Sequence, residues 1–485
     1  MAKFQNSNDS ISSGDSPPIS PRHVHLDGRT LEGGGQLVRN ALALSALTSR
    51  PVTVNHIRGN RGKGGGLKSS HAAAVKLLAE ISGSKVTGGE VGSKNITFEP
   101  EIPADEEGVS LGTTHKSSLV SLSNLTIQSE YNIKLPTPGS AFLIFQALYP
   151  YLLHVGSRAA TDYVKVTITG GTNGTSAPSY DYTSQVAAPN FARIGLPPLS
   201  LELHKRGWTV GPIEMGSVSF HIHPLIPVLN EQGVSETHFP KINIMDYERG
   251  KITNIDLTVL APEIEIPEER KTVRNYIEKE TRRSLRKALQ SMDSSNFDFS
   301  SEGDDDDDHS NQASAVPISM HTSESTHHAS QGYVLIVAHT STGFRIGYDA
   351  LIGSSKSQGP PKSNHKNTNN FPKYQNKRQK HSHKESERIK GCIDNLVAGF
   401  FHEIVDHELA DTGAPESKSE RRSFLDQHMR DQIVVFEALG EVHGNGVSES
   451  KSSEVKENDK YWSLHTKTAK WVCQKMLIEP TEAQT

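Results

Sequence analysis

Strand-like and helix-like segments alternate repeatedly along this chain, and the alternation restricts the folds open to it. Residues 51–58 alternate apolar and polar side chains, as strands do, and residues 71–82 are rich in helix formers and stop at Gly83. A helix-like and a strand-like segment recur within residues 140–171, and a strand followed by two helices recurs within 333–439. The pattern predicts an α/β (α+β) fold and suggests repeated modules.

Three stretches interrupt this pattern and are predicted to be disordered. They are a Ser- and Pro-rich tail at residues 1–22, an acidic segment at about 291–331 and a basic segment at about 354–387. None of them can bury enough apolar surface to offset the entropy lost on ordering. Because structured sequence resumes after the last two, we expect both to be insertions in loops.

The chain has 485 residues, which is too long for one ordinary hydrophobic core. Between residues 225 and 332 a strand-like segment leads into a strongly charged helix-like segment, and this composition differs from that of the rest of the chain. We therefore expect a smaller α/β domain at 225–332, inserted in a large domain made of residues 23–224 and 333–480.

The composition restricts the cellular compartment and the class of protein that we expect. Two cysteines make a disulfide framework or a cysteine zinc site unexpected, and no apolar run is long enough to span a bilayer. The first residues lack the apolar block of a secretory signal, so secretion is not expected. We expect a nuclear protein of the nucleoplasm, with the cytoplasm as the alternative. A net charge of -5 means that a nucleic-acid surface must be a local patch.

Two glycine-rich segments could bind anions. Gly33 to Gly35 precede a helix predicted from about Gln36, with Glu32 beside them and Arg39 one turn into the helix. Such a turn can cradle a phosphate, and the acid can hold a divalent cation; a plain glycine turn with an exposed acid is the alternative.

The second segment is a basic loop between a predicted strand and a predicted helix. Arg58, Arg61, Lys63 and Lys68 punctuate its glycines. Arginine forks and backbone amides together suit phosphate, although a solvated loop with incidental charge has the same composition. Near the C-terminus His465 precedes another helix-like segment, but a lone histidine among 23 is more often structural than catalytic.

Taken together, five motifs outweigh these separate alternatives. They occur in the order EGGGQLVRNALALS, IRGNRGKGGGL, GGTNGTSAPSYDY, DQIVVFEAL and HTKTA, within residues 24–475. In this combination the chain resembles the RNA 3′-terminal phosphate cyclase family. The resemblance implies a large domain of repeated βαβαββ-type units with a smaller inserted α/β domain.

The resemblance also implies an activity. A histidine attacks ATP and becomes adenylylated, the AMP passes to an RNA 3′-phosphate to give RNA-(3′)pp(5′)A, and the 2′-hydroxyl then closes a 2′,3′-cyclic phosphate. The implied cofactors are ATP and a divalent metal (Mg²⁺ or Mn²⁺), and the implied partner is an RNA with a 3′-phosphate end; no membrane is involved.

The motifs carry family roles onto particular residues. His465 matches the nucleophile and Glu32 the metal-holding acid. The ATP-site positions of the family are matched by Gln146, Pro178, His428, Asp431 and Gln432. Its phosphate- or RNA-binding positions are matched by Arg39, Arg58 and Arg61. The chain departs from the family pattern where His428 replaces a tyrosine, where Ser70 replaces a glutamine, and in RGWTVGPIEMG at residues 206–216.

Two other classes share the architecture. One is a non-catalytic, cyclase-like ribosome-biogenesis factor of the nucleolus that acts in small-subunit assembly and lacks the adenylylated histidine. The other is the enolpyruvyl transferases, which need a different basic site. His465 discriminates between the first class and the enzyme, and its presence favours the enzyme.

Overall fold

A computed structural model describes most of the chain between residues 23 and 477. The described ranges are 23–61, 64–101, 119, 126–229, 235–292, 297–298, 316–353, 382–405, 408–409, 421–422, 424–442 and 463–477. The predicted disordered tail at 1–22, the acidic run at 299–315 and residues 354–381 of the basic segment lie outside the described residues.

The first structural unit has the chain order βαβαββ. Its sheet order is β1-β2-β4-β3, in which β1 and β2 are parallel and the other pairs antiparallel. Gly83 ends the second helix in a left-handed conformation, as its position after the helix formers predicts. The elements are β1 (Val24–Asp27), α1 (Gly35–Thr48), β2 (Val52–Asn55), α2 (Ser69–Ser82), β3 (Lys85–Thr87) and β4 (Ile96–Glu99).

A second unit repeats this order and pairing. Its sheet order is β5-β6-β8-β7, again with one parallel pair followed by two antiparallel pairs. The elements are β5 (Glu130–Lys134), α3 (Ala141–Val155), β6 (Val164–Gly170), α4 (Tyr180–Tyr182), a π-helical turn (Thr183–Ala187), α5 (Ala188–Arg193), β7 (Leu199–Lys205) and β8 (Gly216–Ile222). The predicted repeated βαβαββ-type units are confirmed by these two.

A third four-stranded sheet has the order β14-β11-β15-β16. As in the first two units, one parallel pair is followed by two antiparallel pairs. The first strand in the chain, β11, however, lies second in the sheet and not at its edge, so the connections between strands differ from those of the first two units. Two helices, α6 and α7, pack their apolar faces on this sheet and form a core of their own. The elements are β11 (Ile252–Pro262), α6 (Val273–Leu289), β14 (Ile318–Thr326), β15 (Tyr333–Thr340), β16 (Arg345–Leu351) and α7 (Ser382–Val405).

Two features of this sheet bear on the expected domain limits. The expected boundary after residue 332 falls between β14 and β15, two strands that both pair with β11. Residues 318–326, which composition places in a disordered segment, form β14 instead. A polar strand is stable here because β11 supplies its backbone hydrogen bonds and buries Ile318.

The last two helices complete the main core. α8 (Gln427–Glu441) and α9 (Leu464–Leu477) pack against each other, and α9 also packs against α1. Their buried apolar side chains belong to the same cluster as those of the first two units. The remaining short strands are β9 (Val228–Leu229), β10 (Ser235–Glu236), β12 (Glu265–Ile266), β13 (Lys271–Thr272), β17 (Glu408–Leu409) and β18 (Arg421–Arg422).

This packing brings the two ends of the chain together. The glycine turn that begins α1 meets the first turn of α9, where Gln36 contacts His465 although 429 positions of the sequence separate the two residues. Within the described residues, no helix has the length and apolar composition that crossing a membrane requires.

Candidate active site

The glycine turn before α1 places a carboxylate against the backbone. Gly33 has a φ of +60°, and a Cβ there would lie 2.5 Å from the backbone oxygen of Gly28, so this position requires glycine. A Cβ on Gly34 would overlap the carboxylate of Glu32. The missing side chain of Gly34 therefore leaves the space that the carboxylate of Glu32 occupies.

The candidate nucleophile, His465, lies in the first turn of α9. Its Nδ1 is 3.1 Å from Oε2 of Glu32 and 3.2 Å from Oε1 of Gln36. Because both neighbours are acceptors, Nδ1 carries the proton in the neutral ring, and Nε2 keeps its lone pair. The contact with Glu32 raises the pKa of His465 above its ordinary value, against the opposing effect of burial.

Glu32 is the charge centre of the site. It also forms an ion pair with Arg61, and its backbone N–H donates to Oγ1 of Thr468 over 3.3 Å. Burial favours the neutral acid, but the neighbouring His465, Arg61 and Arg39 outweigh burial and lower the pKa of Glu32. The carboxylate is therefore ionised at neutral pH.

Two further arginines lie close to this carboxylate. Burial lowers the pKa of Arg39 to about 10, and the charge of Glu32 partly opposes that shift. Arg58 has a φ of +56°, and its Nη1 lies 3.5 and 3.4 Å from the carbonyl oxygens of Gly64 and Gly66. The three predicted phosphate-binding arginines thus surround one carboxylate, which leaves the site strongly positive.

A buried histidine on α2, His71, packs against the end of the glycine turn at Gly35. A Cβ on Gly35 would overlap its imidazole ring, so α1 and α2 approach closely only because Gly35 has no side chain. Burial, followed by the charges of Arg39, Arg58 and Lys68, lowers the pKa of His71 to about 3. The ring is therefore neutral and adds no charge to the site.

Asp431 on α8 fixes the start of α9, the helix that carries His465. Its Oδ1 accepts hydrogen bonds from the hydroxyl groups of Ser463, at 2.8 Å, and Thr466. Burial raises the pKa of Asp431, while these hydroxyl groups and the two nearby histidines, His465 and His428, oppose the shift. Asp431 is thus a positioning residue for the start of α9.

A pocket adjoins the nucleophile on the side of α3 and α8. Gln36 connects the two, because its Nε2 donates to the carbonyl oxygen of Asp431 over 3.4 Å while its Oε1 faces His465. Apolar rings and amide groups line the pocket together, a composition that suits a nucleobase or ribose. The lining includes Gln36, Asn40, Phe145, Gln146, Tyr149, Phe191, Asp431, Gln432 and Phe436.

The other two predicted ATP-site residues lie around α4. His428 is exposed on the first turn of α8, and its ring meets the ring of Tyr182 edge-on with centroids 5.9 Å apart. Tyr182 in turn donates a hydrogen bond of 2.6 Å to the α8 cap Asp426, whose pKa burial raises to about 6. Pro178 lies in the loop directly before α4, and no described hydrogen bond or ring contact joins it to His465.

Sequence reasoning missed three residues of this site. Gln36, Ser463 and Thr466 orient His465 or its helix, as their hydrogen bonds show. The available signal was their place in the motifs, since Gln36 directly follows the glycine turn and Ser463 and Thr466 bracket His465.

The donor set fits a divalent cation that arrives with a nucleotide. Among the residues that the structure describes, no group of three or more His, Cys, Asp or Glu side chains could hold a metal by itself. Oε2 of Glu32, however, is buried beside Nδ1 of His465, 3.1 Å away, and accepts no other hydrogen bond from the described residues. Mg²⁺ commonly takes one or two carboxylates and completes its shell with substrate phosphates and water, so a single carboxylate here suffices.

The fold and site together define a mixed α/β protein of βαβαββ units, with a histidine beside a carboxylate and a cluster of arginines. A family model for RNA 3′-terminal phosphate cyclase matches residues 30–480, which is most of the chain. The chain belongs to the RNA 3′-terminal phosphate cyclase family.

Curated relatives bear the family name. A protein of Koribacter versatilis named RNA 3′-terminal phosphate cyclase is 34% identical over 202 residues, covering 42% of this chain and 48% of the relative. Proteins of the same name from Caldivirga maquilingensis and Pyrococcus furiosus are 36% and 33% identical, covering 38% and 42% of this chain and 44% and 50% of the relatives. The matched segment thus spans about half the length of these relatives.

Proposed function

We propose that this protein converts the 3′-terminal phosphate of RNA to a 2′,3′-cyclic phosphate in an ATP-dependent reaction. The observation that carries the proposal is the orientation of His465. Two acceptors face Nδ1, so the lone pair of Nε2 is available, and half of the side chain is exposed to an incoming ligand. Family membership supplies the substrate class.

In the first step Nε2 of His465 attacks the α-phosphorus of ATP. A bond forms between nitrogen and phosphorus, the bond to the bridging oxygen breaks, and pyrophosphate leaves. Arg39 and Arg61 lie beside the carboxylate that contacts His465, where their charges would stabilise the negative charge of the transition state. A divalent cation held by Glu32 would supply further charge neutralisation.

In the next steps an oxygen of the RNA 3′-phosphate attacks the adenylyl phosphorus and displaces the histidine. The product is RNA-(3′)pp(5′)A, in which AMP is a good leaving group. The adjacent 2′-hydroxyl then gives its proton to solvent as its oxygen attacks the 3′-phosphorus. The bond from this phosphorus to the bridging oxygen breaks, AMP departs and the cyclic phosphate closes. The last step gains from proximity, because nucleophile and electrophile belong to the same ribose.

The pocket beside Gln36 is the proposed site for the nucleoside of ATP. Gln146 and Gln432 offer amide groups there, and Asp431 couples the pocket to the start of α9, which carries His465. His428 would stack or hydrogen-bond near the base in place of the usual tyrosine, on the side of α8 that faces Tyr182. Pro178 would border the base from the loop before α4.

Self-adenylylation tests this proposal directly. The full chain is incubated with α-³²P-labelled ATP and Mg²⁺ or Mn²⁺, and acid-labile label on the protein is measured. We expect label on the wild type, none on His465→Ala, and wild-type labelling of His327→Ala, a control at an exposed loop histidine. Undiminished label on His465→Ala would refute the nucleophile assignment. An unlabelled wild type that still binds RNA would identify a non-catalytic member of the family.

A further inference from the structure

The loop between β2 and α2 holds two described cations, Arg58 and Lys68, that the proposed mechanism leaves unassigned. Lys68 is exposed, and it directly precedes α2. Within the described parts of the chain, no carboxylate lies within ion-pair distance of its ammonium group, whereas Arg61 pairs with Glu32. Partial burial, followed by the positive charges of Arg58 and Arg61, lowers the pKa of Lys68.

The backbone fixes the position of Lys68 although its side chain is exposed. Leu67 is buried, its N–H donates to the carbonyl oxygen of Ser93 over 2.9 Å, and its own carbonyl oxygen accepts from Gly92 over 2.8 Å. The N–H of Lys68 donates to Nδ1 of the buried His71 over 3.2 Å. The side chain therefore projects from an anchored backbone and not from a loose loop.

This arrangement is electrostatically unfavourable for the free protein. Glu32 is the carboxylate that acts on Arg39, Arg58 and Arg61, whereas the charges that act on Lys68 are those of Arg58 and Arg61. Like charges at short range oppose folding. Ordinary surface lysines avoid such a cost by moving into solvent. An anchored cation beside two arginines indicates a polyanionic ligand that neutralises the group when bound.

The cationic side chains of the site also lie at different depths below the protein surface. Arg39 is enclosed next to Glu32 and the nucleophile, while Arg58 reaches the loop carbonyl oxygens and Lys68 lies at the exposed rim. Compact ATP would use the enclosed part, whereas a polymer must enter from the rim. A lysine is a point charge that tolerates several phosphate orientations, which suits a flexible single strand.

We propose that Lys68, together with Arg58, forms the subsite that binds the terminal 3′-phosphate of the RNA, so that Lys68 is a specificity-determining residue that favours 3′-phosphate over 3′-hydroxyl ends. The inference rests on the proposed function for its substrate class. It adds the residue that recognises the terminal 3′-phosphate, the chemical group on which the reaction depends. A terminal phosphate monoester carries more negative charge than an internal diester, so an unpaired ammonium group favours it.

Direct binding separates this inference from the proposed function. Short fluorescent RNA oligonucleotides of one sequence, ending in 3′-phosphate or 3′-hydroxyl, are titrated with the full chain at several salt concentrations. For Lys68→Gln we expect about tenfold weaker binding of the 3′-phosphate RNA, little change for the 3′-hydroxyl RNA, and a salt slope shallower by about 0.7. Lys68→Arg should restore the preference for the phosphate, because it restores the charge.

The matched control is Lys76→Gln, a charge removal on the exposed face of the same helix, which should bind both RNAs as the wild type does. In parallel, Lys68→Gln should raise the KM for RNA and leave the KM for ATP unchanged. Equal weakening of both RNAs, or a raised KM for ATP alone, would overturn the inference. If Lys68→Gln loses the preference for the 3′-phosphate RNA but the wild type does not self-adenylylate, the inference would stand and the proposed function would be refuted.

Discussion

Gly33 and Gly34 are neighbours that lack a side chain for different physical reasons. At Gly33 the backbone is left-handed and a Cβ would also meet the carbonyl oxygen of Gly28, so any other residue strains the turn itself. At Gly34 the backbone is extended, with φ of −90°, and the obstacle is the carboxylate of Glu32, a group that can move. One position therefore serves the fold and the other serves the site.

This difference predicts separable effects of two alanine substitutions. Gly34→Ala should leave the free energy of unfolding nearly unchanged but displace Glu32 from His465 and slow self-adenylylation about tenfold or more. Gly33→Ala should lower the free energy of unfolding by about 1–2 kcal/mol. Urea unfolding followed by circular dichroism and labelling by α-³²P-ATP measure the two effects. Full labelling by Gly34→Ala would show that the space beside Gly34 does not position Glu32.

At the scale of the element, the start of α2 depends on a neutral histidine. His71 is buried, and its Nδ1 accepts the N–H of Lys68, which precedes the helix. The surrounding charges are all cationic, namely Arg39 on α1 and Arg58 and Lys68 on the basic loop. Protonation of His71 would therefore remove a capping acceptor and add a charge among like charges.

We accordingly predict an acid-sensitive helix start. The pKa of His71 falls from an ordinary 6.5 to about 3 on folding, so its contribution to stability is present above pH 6.5 and is lost as pH falls toward 3. Between pH 6.5 and 5 this one group should cost about 2 kcal/mol.

The His71→Gln variant tests the assignment, because glutamine can accept the same hydrogen bond but does not titrate. Its urea midpoint should fall less than that of the wild type between pH 7 and pH 5. His327→Gln, at an exposed position, should retain the full wild-type dependence. If His71→Gln loses as much stability as the wild type on acidification, another group is responsible.

At the scale of the whole molecule, one arginine joins the second unit to the third sheet. Both Nη atoms of Arg206 bind the carboxylate of Asp181, at 2.8 and 3.0 Å, and its Nε donates to Oε2 of Glu324 over 2.6 Å. Asp181 belongs to α4 and Glu324 to β14. Burial opposes the charge on Arg206, but the hydrogen bonds that it donates to Glu324 and Asp181, together with their negative charges, raise its pKa. The charged group is therefore held between two separate cores.

Removal of this arginine should weaken the whole molecule. Arg206→Gln leaves the buried carboxylate of Asp181 without its partner and should lower the free energy of unfolding by about 3 kcal/mol or more. Arg283→Gln removes an arginine that is 72% exposed from its ion pair with Glu280 and should cost less than about 1 kcal/mol. Thermal unfolding of both variants gives the comparison. Equal losses would mean that Arg206 contributes no more than a surface ion pair.

The sequence predicted individual elements better than their assembly. Residues 333–340 form the predicted strand, and the charged segment near residue 280 forms α6, because local side-chain period and helix propensity decide such elements. Composition failed at Ile318–Thr326, since a polar strand depends on a partner strand that composition cannot reveal. The site followed the same rule: His465 and Glu32 could be chosen from their motifs, but the contact of Gln36 with His465 depends on the meeting of α1 and α9.

By itself, the sequence determined the alternation of strands and helices, the glycine turn, the basic loop and a family resemblance in five ordered motifs. Each of these is a local property, set by side-chain period, backbone freedom or residue identity over a few positions. Only the tertiary structure decided that the beginning of α1 meets the beginning of α9, that β15 pairs with β11, and that Arg206 spans two cores. These are contacts between residues far apart in the chain, and packing of the whole molecule selects them.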